Sequence, residues 1–391
     1  MTKVDPYNIK EKYAKWRANA LTNGITGVTS ANSTIILQYL QDMEQGLNVE
    51  TSNKRGGRSA IRLNTIAIRL PLLAKAFEVR YKRNLTELDE NCVMAFFADM
   101  RNGTIRRKDG KEYRCAGDYV KEIKAFWNWY TKINRKKDIT IRNIAQDLDK
   151  SYEKPDWVYL TEEQIRLLCS KANQKYQTLI WFLFDTGIRA PTELVNVKAS
   201  DFHNDFKELN IREEASKTFG RRIKLMICSK MIKEYAHHNK FAPEDYIFDI
   251  CPSSTNRWLK KLAKKTLGDK VSPAGQKYSD LTLYDFRHNS CCYWLPRYKS
   301  ESALKYRFGW KKSDKIHYYS ELLGMRDTIS EEDMLIDITK TEIEQKLQKA
   351  EKEKELMQEQ LNTLQKQVAT IGELTKQLYM KIIPDEITEF Q

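Results

Sequence analysis

From Ile343 to Leu378 the residues Ile343, Leu347, Ala350, Lys354, Met357, Leu361, Leu364, Val368, Ile371, Thr375 and Leu378 follow one another at spacings of four and three without a break. A period of 3.5 residues admits one fold only, a long helix whose apolar stripe stays on a single seam. The expectation is a coiled-coil tail over residues 335–381, interrupted only by Lys354 and Thr375. Such a stripe needs a partner surface. A second copy of the tail is the favoured one, and a helix folded back on its own domain is the alternative.

Charge divides the chain near the same place. Residues 330–391 carry 8 Lys/Arg and 14 Asp/Glu, a net of −6, so residues 1–329 carry 59 and 39, a net of +20. A body that basic attracts a polyanion, DNA or RNA being the usual one, although a merely solvated basic surface has the same composition. At 391 residues, 41% of them hydrophobic, the chain can bury two or three cores. It holds no run of eighteen uncharged apolar residues, so no membrane span is expected. Met1–Lys15 lacks the apolar stretch of a secretory signal. The seven cysteines include no CxxC pair, which points away from zinc and disulfides and towards a reducing cytoplasm.

The first 150 residues read as a helical bundle. Ser30–Ser33 offers caps before Thr34–Met43, where Ile36, Tyr39, Leu40 and Met43 recur at helical spacing. Thr65–Phe77 repeats Ile66, Leu70, Leu73 and Phe77, with Pro71 expected to kink that helix or mark its start. Asp89–Met100 and Tyr119–Ile133 give two more, the latter through Ile123, Phe126, Trp127 and Tyr130. Between the helices lie two basic segments containing glycine. Their Lys54, Arg55, Arg58, Arg106, Arg107 and Lys108 are the candidate DNA-contacting residues. Ordinary surface loops look the same.

Asp147–Trp157 turns polar and reads as a linker to a second domain over residues 156–329. Thr161 and Gln164 have the spacing of a capping box. Around Glu208–Met226 the period changes to two: Leu209 and Ile211, then Ile223 and Leu225, bracket a turn at Thr218–Gly220 and predict a β-hairpin. Helical patterns return over Trp258–Lys265, Phe286–Leu295 and Ser302–Phe308.

Four segments of this second domain belong together. Asp185–Leu194 presents Arg189 after a helix end; Ser216–Thr218 places Lys217 in the hairpin; Leu283–His288 carries Tyr284, Arg287 and His288. Phe308-Gly309-Trp310 is followed by Tyr318, Tyr319, Ser320, Glu321 and Leu322. In order and spacing they resemble the boxes of the tyrosine recombinase (phage-integrase-type) family. The family's T-G-x-R-x-x-E-L resembles Thr186–Leu194, except that Arg189 and Glu193 stand four apart instead of three. Its H-x-x-R-H is matched by Tyr284–His288, with tyrosine for the first histidine. Its L-G-H/W, with tyrosine nine residues on, is matched by Phe308-Gly309-Trp310 and Tyr319. Archaeal and archaeal-virus integrases look most similar. The resemblance covers residues 160–325, and the preceding bundle only in kind.

The resemblance implies a mainly α fold: a helical core-binding domain over residues 1–150, an α-rich catalytic domain with a small antiparallel sheet, and the coiled-coil tail. It implies a clamp around double-stranded DNA and site-specific recombination through a 3′-phosphotyrosine, most simply to integrate and excise a mobile element. A homo-tetramer would act on paired sites. Tyr319 would be the nucleophile. Arg189 and Arg287 suit a pentacoordinate phosphorane, with two fixed charged forks. Lys217 would protonate the leaving 5′ oxygen, and the Trp310 indole would donate to a phosphate oxygen. Tyr284 can donate a hydrogen bond but is a poor base at neutral pH. His288 is expected to support the loop. Glu193 would orient Arg189 through an ion pair, although its shifted spacing speaks against this. The phosphotyrosyl ester conserves bond energy, so no cofactor, nucleotide or metal is expected.

Alternatives stay open at this point. Tyr318 is the rival nucleophile, and Arg189 can be read as a helix C-cap cation. Chromosome-dimer resolution and transposition share the chemistry. A DNA-binding protein derived from a recombinase but without cleavage fits the missing histidine. A coiled-coil scaffold explains the tail but not the four boxes.

Overall fold

The computed structural model describes residues 4–47, 56–151, 156–298, 300–323 and 340–382. The chain divides into two compact units, Met1–Leu323 and Gly324–Gln391.

The first hydrophobic core of the larger unit is built from α1 (Ile9–Asn23), α2 (Ser30–Gln45), α3 (Ala60–Tyr81), α4 (Glu90–Arg101) and α5 (Ala116–Arg135). Helix α1 escapes the periodicity because Tyr13 and Ala20 are its only fully buried side chains. Helix α2 starts where the Thr29 hydroxyl accepts the Asn32 N–H at 3.2 Å. Pro71 does not mark the start of its helix, since α3 begins at Ala60 and runs through it. Leu63, Ile66, Leu70, Leu73 and Phe77 bury one face on both sides of the proline. That burial outweighs the roughly 3 kcal/mol that an interior proline costs. Glu122 of α5, buried in this core, is held by Arg62 at 2.7 Å.

A separate core gathers α6 (Glu162–Ser170), α7 (Gln174–Thr186), a three-stranded antiparallel sheet, α8 (Ser229–His238), α9 (Pro252–Leu267) and the start of α10 (Asp285–Trp294). The capping box of Thr161 and Gln164 is present at the head of α6. The hairpin is β2 (Glu208–Ile211) and β3 (Arg221–Lys224), with Leu209 opposite Ile223 and Ile211 opposite Arg221. A further strand, β1 (Phe202–His203), pairs with β2; two residues are too few to show an alternation in sequence.

Buried polar side chains fix how these elements meet. The Asp185 carboxylate, at the end of α7, accepts the Ile227 and Cys228 N–H groups at 2.7 and 2.9 Å and pairs with Arg307 at 2.9 Å. Asp285 and Asn289 of α10 accept the N–H groups of Val158 and Leu160 at 3.1 and 2.6 Å. They tie the segment that follows Trp157 to α10. A third, small core then forms from Trp157, Cys291, Cys292, Trp294, Leu304, Phe308 and Tyr319. It joins α10 to α11 (Glu301–Phe308) and α12 (Asp314–Leu322).

Among the described residues of the smaller unit, one helix, α13, spans Lys340–Ile382. Met357, Leu361, Leu364, Val368 and Ile371, which stand on the seam, are 51–68% exposed. Residues 335–339 of the expected tail lie outside the described residues. Among the described residues no helix is long and apolar enough to cross a membrane.

Candidate active site

Helix ends and their unpaired carbonyls organise this site. Helix α11 stops at Gly309 in the left-handed conformation (φ 61°). The last carbonyls of a helix lack intrahelical partners and carry partial negative charge. Arginines take them up here. Arg287 Nη2 donates to the Phe308 carbonyl at 2.6 Å, and Arg189 Nη2 donates to the next one, Gly309, at 2.8 Å. Arg287 Nη1 also donates to the Gly187 carbonyl at 2.5 Å, at the left-handed end of α7 (φ 57°). Two helix termini thus aim both guanidinium groups. Neither glycine tolerates a side chain: a Cβ on Gly187 would sit 2.3 Å from Phe308 Cε1, and one on Gly309 would sit 3.0 Å from Arg221 Nη1.

Glu193 is the acid at the centre of this cluster. Its Oε1 is 2.7 Å from Arg189 Nη1, and its Oε2 is 2.9 Å from both the Arg189 N–H and Arg221 Nη2. The spacing of four therefore does allow the ion pair with Arg189. Burial alone would raise the Glu193 pKa, but Arg221 and then Arg189 pull it down to about 2. A carboxylate held below its ordinary 4.5 contributes stability that is complete above pH 4.5 and is lost as pH falls towards 2. Glu193→Ala leaves two guanidiniums without their counter-charge and is expected to destabilise by about 3–5 kcal/mol. Glu193→Gln keeps an acceptor oxygen and should cost less. Urea titrations followed by circular dichroism would give that ranking, and equal midpoints would contradict it.

Arg221 escapes the sequence reading, which singles out only Lys217 in the hairpin. It is fully buried, and its Nε donates to the Arg307 carbonyl at 2.9 Å. The signal is there in the period of two, because Arg221 shares its face of β3 with Ile223 while Arg222 and Lys224 point outward. Arg189, Arg221 and Arg287 thus share the charge of one nearby carboxylate. Burial, followed by the like charge of Arg189, lowers the Arg287 pKa to about 10, so the group is still charged at neutral pH. A site with this surplus of buried positive charge is built for an anion.

The aromatic residues line up beside the arginines. Trp310 stacks on Phe308 at 4.9 Å and on Tyr319 at 6.0 Å, with its ring 11° from the plane of Tyr319. The Trp310 indole N–H bonds to none of the described residues. Tyr319 is 4% exposed, and its hydroxyl lies 2.5 Å from His288 Nδ1. Burial, and to a lesser degree Cys291, raises the Tyr319 pKa well above that of a free phenol, while the charge of Arg287 opposes this. The rival Tyr318 instead accepts the Trp157 indole N–H at 2.9 Å. His288 was expected only to support its loop, and its contact with Tyr319 joins residues distant in sequence. Tyr284, 46% exposed, meets His288 edge to face at 5.2 Å.

Lys217 lies exposed in the loop between β2 and β3, and none of the described residues forms an ion pair with it. Its neighbour Thr218 donates to the Gly309 carbonyl at 2.9 Å, which fastens that loop to the arginine cluster. Of the candidate DNA-contacting residues, Lys54 and Arg55 lie outside the described residues. Arg58 is half-buried, Lys108 is exposed, and the exposed Arg106 and Arg107 reach acids of their own loop, Glu112 at 3.4 Å and Asp109 at 3.2 Å.

Solved structures with a similar backbone include the integrase of transposon Tn1549 in complex with circular intermediate DNA, at 15% identity over 73% of this chain and 94% of that one, with a TM-score of 0.52. A lambda integrase dimer bound to a core site matches at 14% identity over 80% of this chain and 83% of that one, with a TM-score of 0.52. This chain has the tyrosine recombinase fold. The XerH site-specific recombinase bound to a palindromic difH substrate matches 85% of this chain and 97% of its own, at 14% identity and a TM-score of 0.51. No protein-family profile and no curated protein matches the sequence. Within the tyrosine recombinase fold of this chain, Arg189, Arg287, Trp310 and Tyr319 come together around the end of α11, with Lys217 on the loop alongside.

Proposed function

We propose that this protein is a site-specific DNA recombinase that cuts and rejoins double-stranded DNA through a 3′-phosphotyrosine on Tyr319, and that it integrates or excises a mobile element. The observation that carries this reading is the convergence of Arg189 and Arg287 on two successive carbonyls of α11, in a cluster with more positive charge than its single carboxylate can balance. A phosphodiester is the anion whose transfer uses two such forks. Tyr319 Oη would form the bond to phosphorus as the bond to the 5′ oxygen breaks, and Lys217 would supply the proton to that oxygen. The helical core of residues 1–150 would grip DNA beside a catalytic domain over residues 156–329. Copies joined through the tail would act as a tetramer on paired sites.

Sequences bound by the protein can be selected from a random duplex pool. A nicked form of the selected site then serves as a suicide substrate, and a covalent protein–DNA band on a denaturing gel is the expected result. Binding without any band favours the second reading, a DNA-binding protein that has lost cleavage, for which Tyr284 in the place of a histidine speaks. Resolution of chromosome dimers or transposition would share the band and differ in the selected site.

Cleavage is expected to proceed at an unchanged rate in excess EDTA and without nucleotide, because arginine, lysine and tyrosine supply charge, acid and nucleophile. A rate that falls with chelation and returns with magnesium would overturn that mechanism.

A further inference from the structure

We propose that His288 is the catalytic residue that takes the proton from Tyr319 when the tyrosine attacks DNA. This rests on the recombinase reading above and adds the base which that reading leaves unnamed. His288 Nδ1 is 2.5 Å from Tyr319 Oη, within reach of the proton it would accept. The imidazole is held on both sides: Trp157 stacks on it at 4.8 Å and 25°, and Tyr284 meets it edge on at 5.2 Å. Trp157 is itself fixed by its bond to Tyr318. The ring is thus held by Trp157 from a distant part of the chain and by Tyr284 at the start of its own helix.

The chemistry requires a base here. A buried phenol loses its proton with difficulty, and the charge of Arg287 only partly offsets that burial. Tyr284, which stands where the resemblance places a histidine, is a phenol and cannot accept a proton at neutral pH. A neutral imidazole has a ring nitrogen free to accept a proton and can do so. Among the described residues, the ionisable groups near it include Tyr284 just before α10, Arg287, Cys291 and Cys292 on α10, and Tyr318 and Tyr319 on α12; the segment entering at Trp157 faces it with an indole. Burial raises the pKa of both thiols, so Arg287 is the group among these that is charged at neutral pH. In the forward step the Tyr319 proton passes to Nδ1 as the oxygen–phosphorus bond forms and the bond to the 5′ oxygen breaks. On rejoining, the same proton returns to Tyr319.

The test is single-turnover cleavage of the suicide substrate as a function of pH, with an ordinary 5′ oxygen and with a 5′-bridging sulfur as the leaving atom. Sulfur leaves without needing a proton, so it should rescue Lys217→Ala but not His288→Gln. The wild-type rate should rise through the range where an imidazole loses its proton and then level off. His288→Gln should be slower by about 10²–10⁴-fold, bind DNA normally, and show no levelling at the imidazole pKa. A wild-type profile without that ionisation would overturn the proposal even if His288→Gln failed to fold. So would rescue of His288→Gln by sulfur. If wild-type protein formed no covalent band with any substrate, the recombinase reading itself would fail.

Discussion

Tyr319→Phe is expected to reduce the covalent protein–DNA adduct to less than about one thousandth of wild type, the scale seen when a nucleophile is removed. DNA affinity should change by less than about twofold, because the lost hydroxyl carries no charge and phosphate neutralisation dominates affinity. Little structural damage is expected. The ring sits among Trp157, Trp310 and Tyr318, and a phenylalanine keeps those contacts. What disappears is the bond to His288. Tyr318→Phe serves as the control: its hydroxyl accepts from Trp157, so its loss should loosen the ring against His288 without removing the adduct. A gel on which Tyr318→Phe loses the band and Tyr319→Phe keeps it would move the nucleophile by one residue.

Removal of residues 335–391 is expected to lower the solution mass to that of a smaller assembly and to cut recombination between paired sites, while cleavage of a suicide substrate survives. The deleted segment belongs to the unit that begins at Gly324, after Tyr319. Its helix leaves Met357, Leu361, Leu364, Val368 and Ile371 exposed on one seam. Each such side chain contributes about 1.5–3 kcal/mol when fully buried. A matching seam on a second copy buries all of them at the repeat that a left-handed supercoil requires. The deleted residues 335–391 carry 8 Lys/Arg and 11 Asp/Glu, a net of −3, against +20 for residues 1–329, so DNA does not attract them and a basic-groove role is disfavoured. Light scattering on both proteins measures the mass. An unchanged mass with unchanged recombination would mean that the stripe is covered within one chain. Loss of cleavage would mean that the segment after Tyr319 helps to place it.

Local pattern was enough to reveal much of this. The seam of the tail, the helices around Ile36, Phe97 and Trp127, the capping box at Thr161 and the hairpin of Leu209 and Ile223 all follow from the period of apolar residues and the chemistry of caps, which act within a few residues. The residues proposed for phosphoryl transfer were also legible, because Arg189, Lys217, Arg287, Trp310 and Tyr319 stand in recognisable local frames. Pro71 shows the limit: its neighbours bury a continuous face, and that tertiary gain overrides the local penalty. The tertiary structure alone decided that Arg221 turns inward to share Glu193 with Arg189, that two helix-end carbonyls aim the arginines, and that His288 and not Tyr284 touches Tyr319. These pairings join residues from 21 to 120 positions apart. No short-range period records them, since each depends on where separate helices end in space.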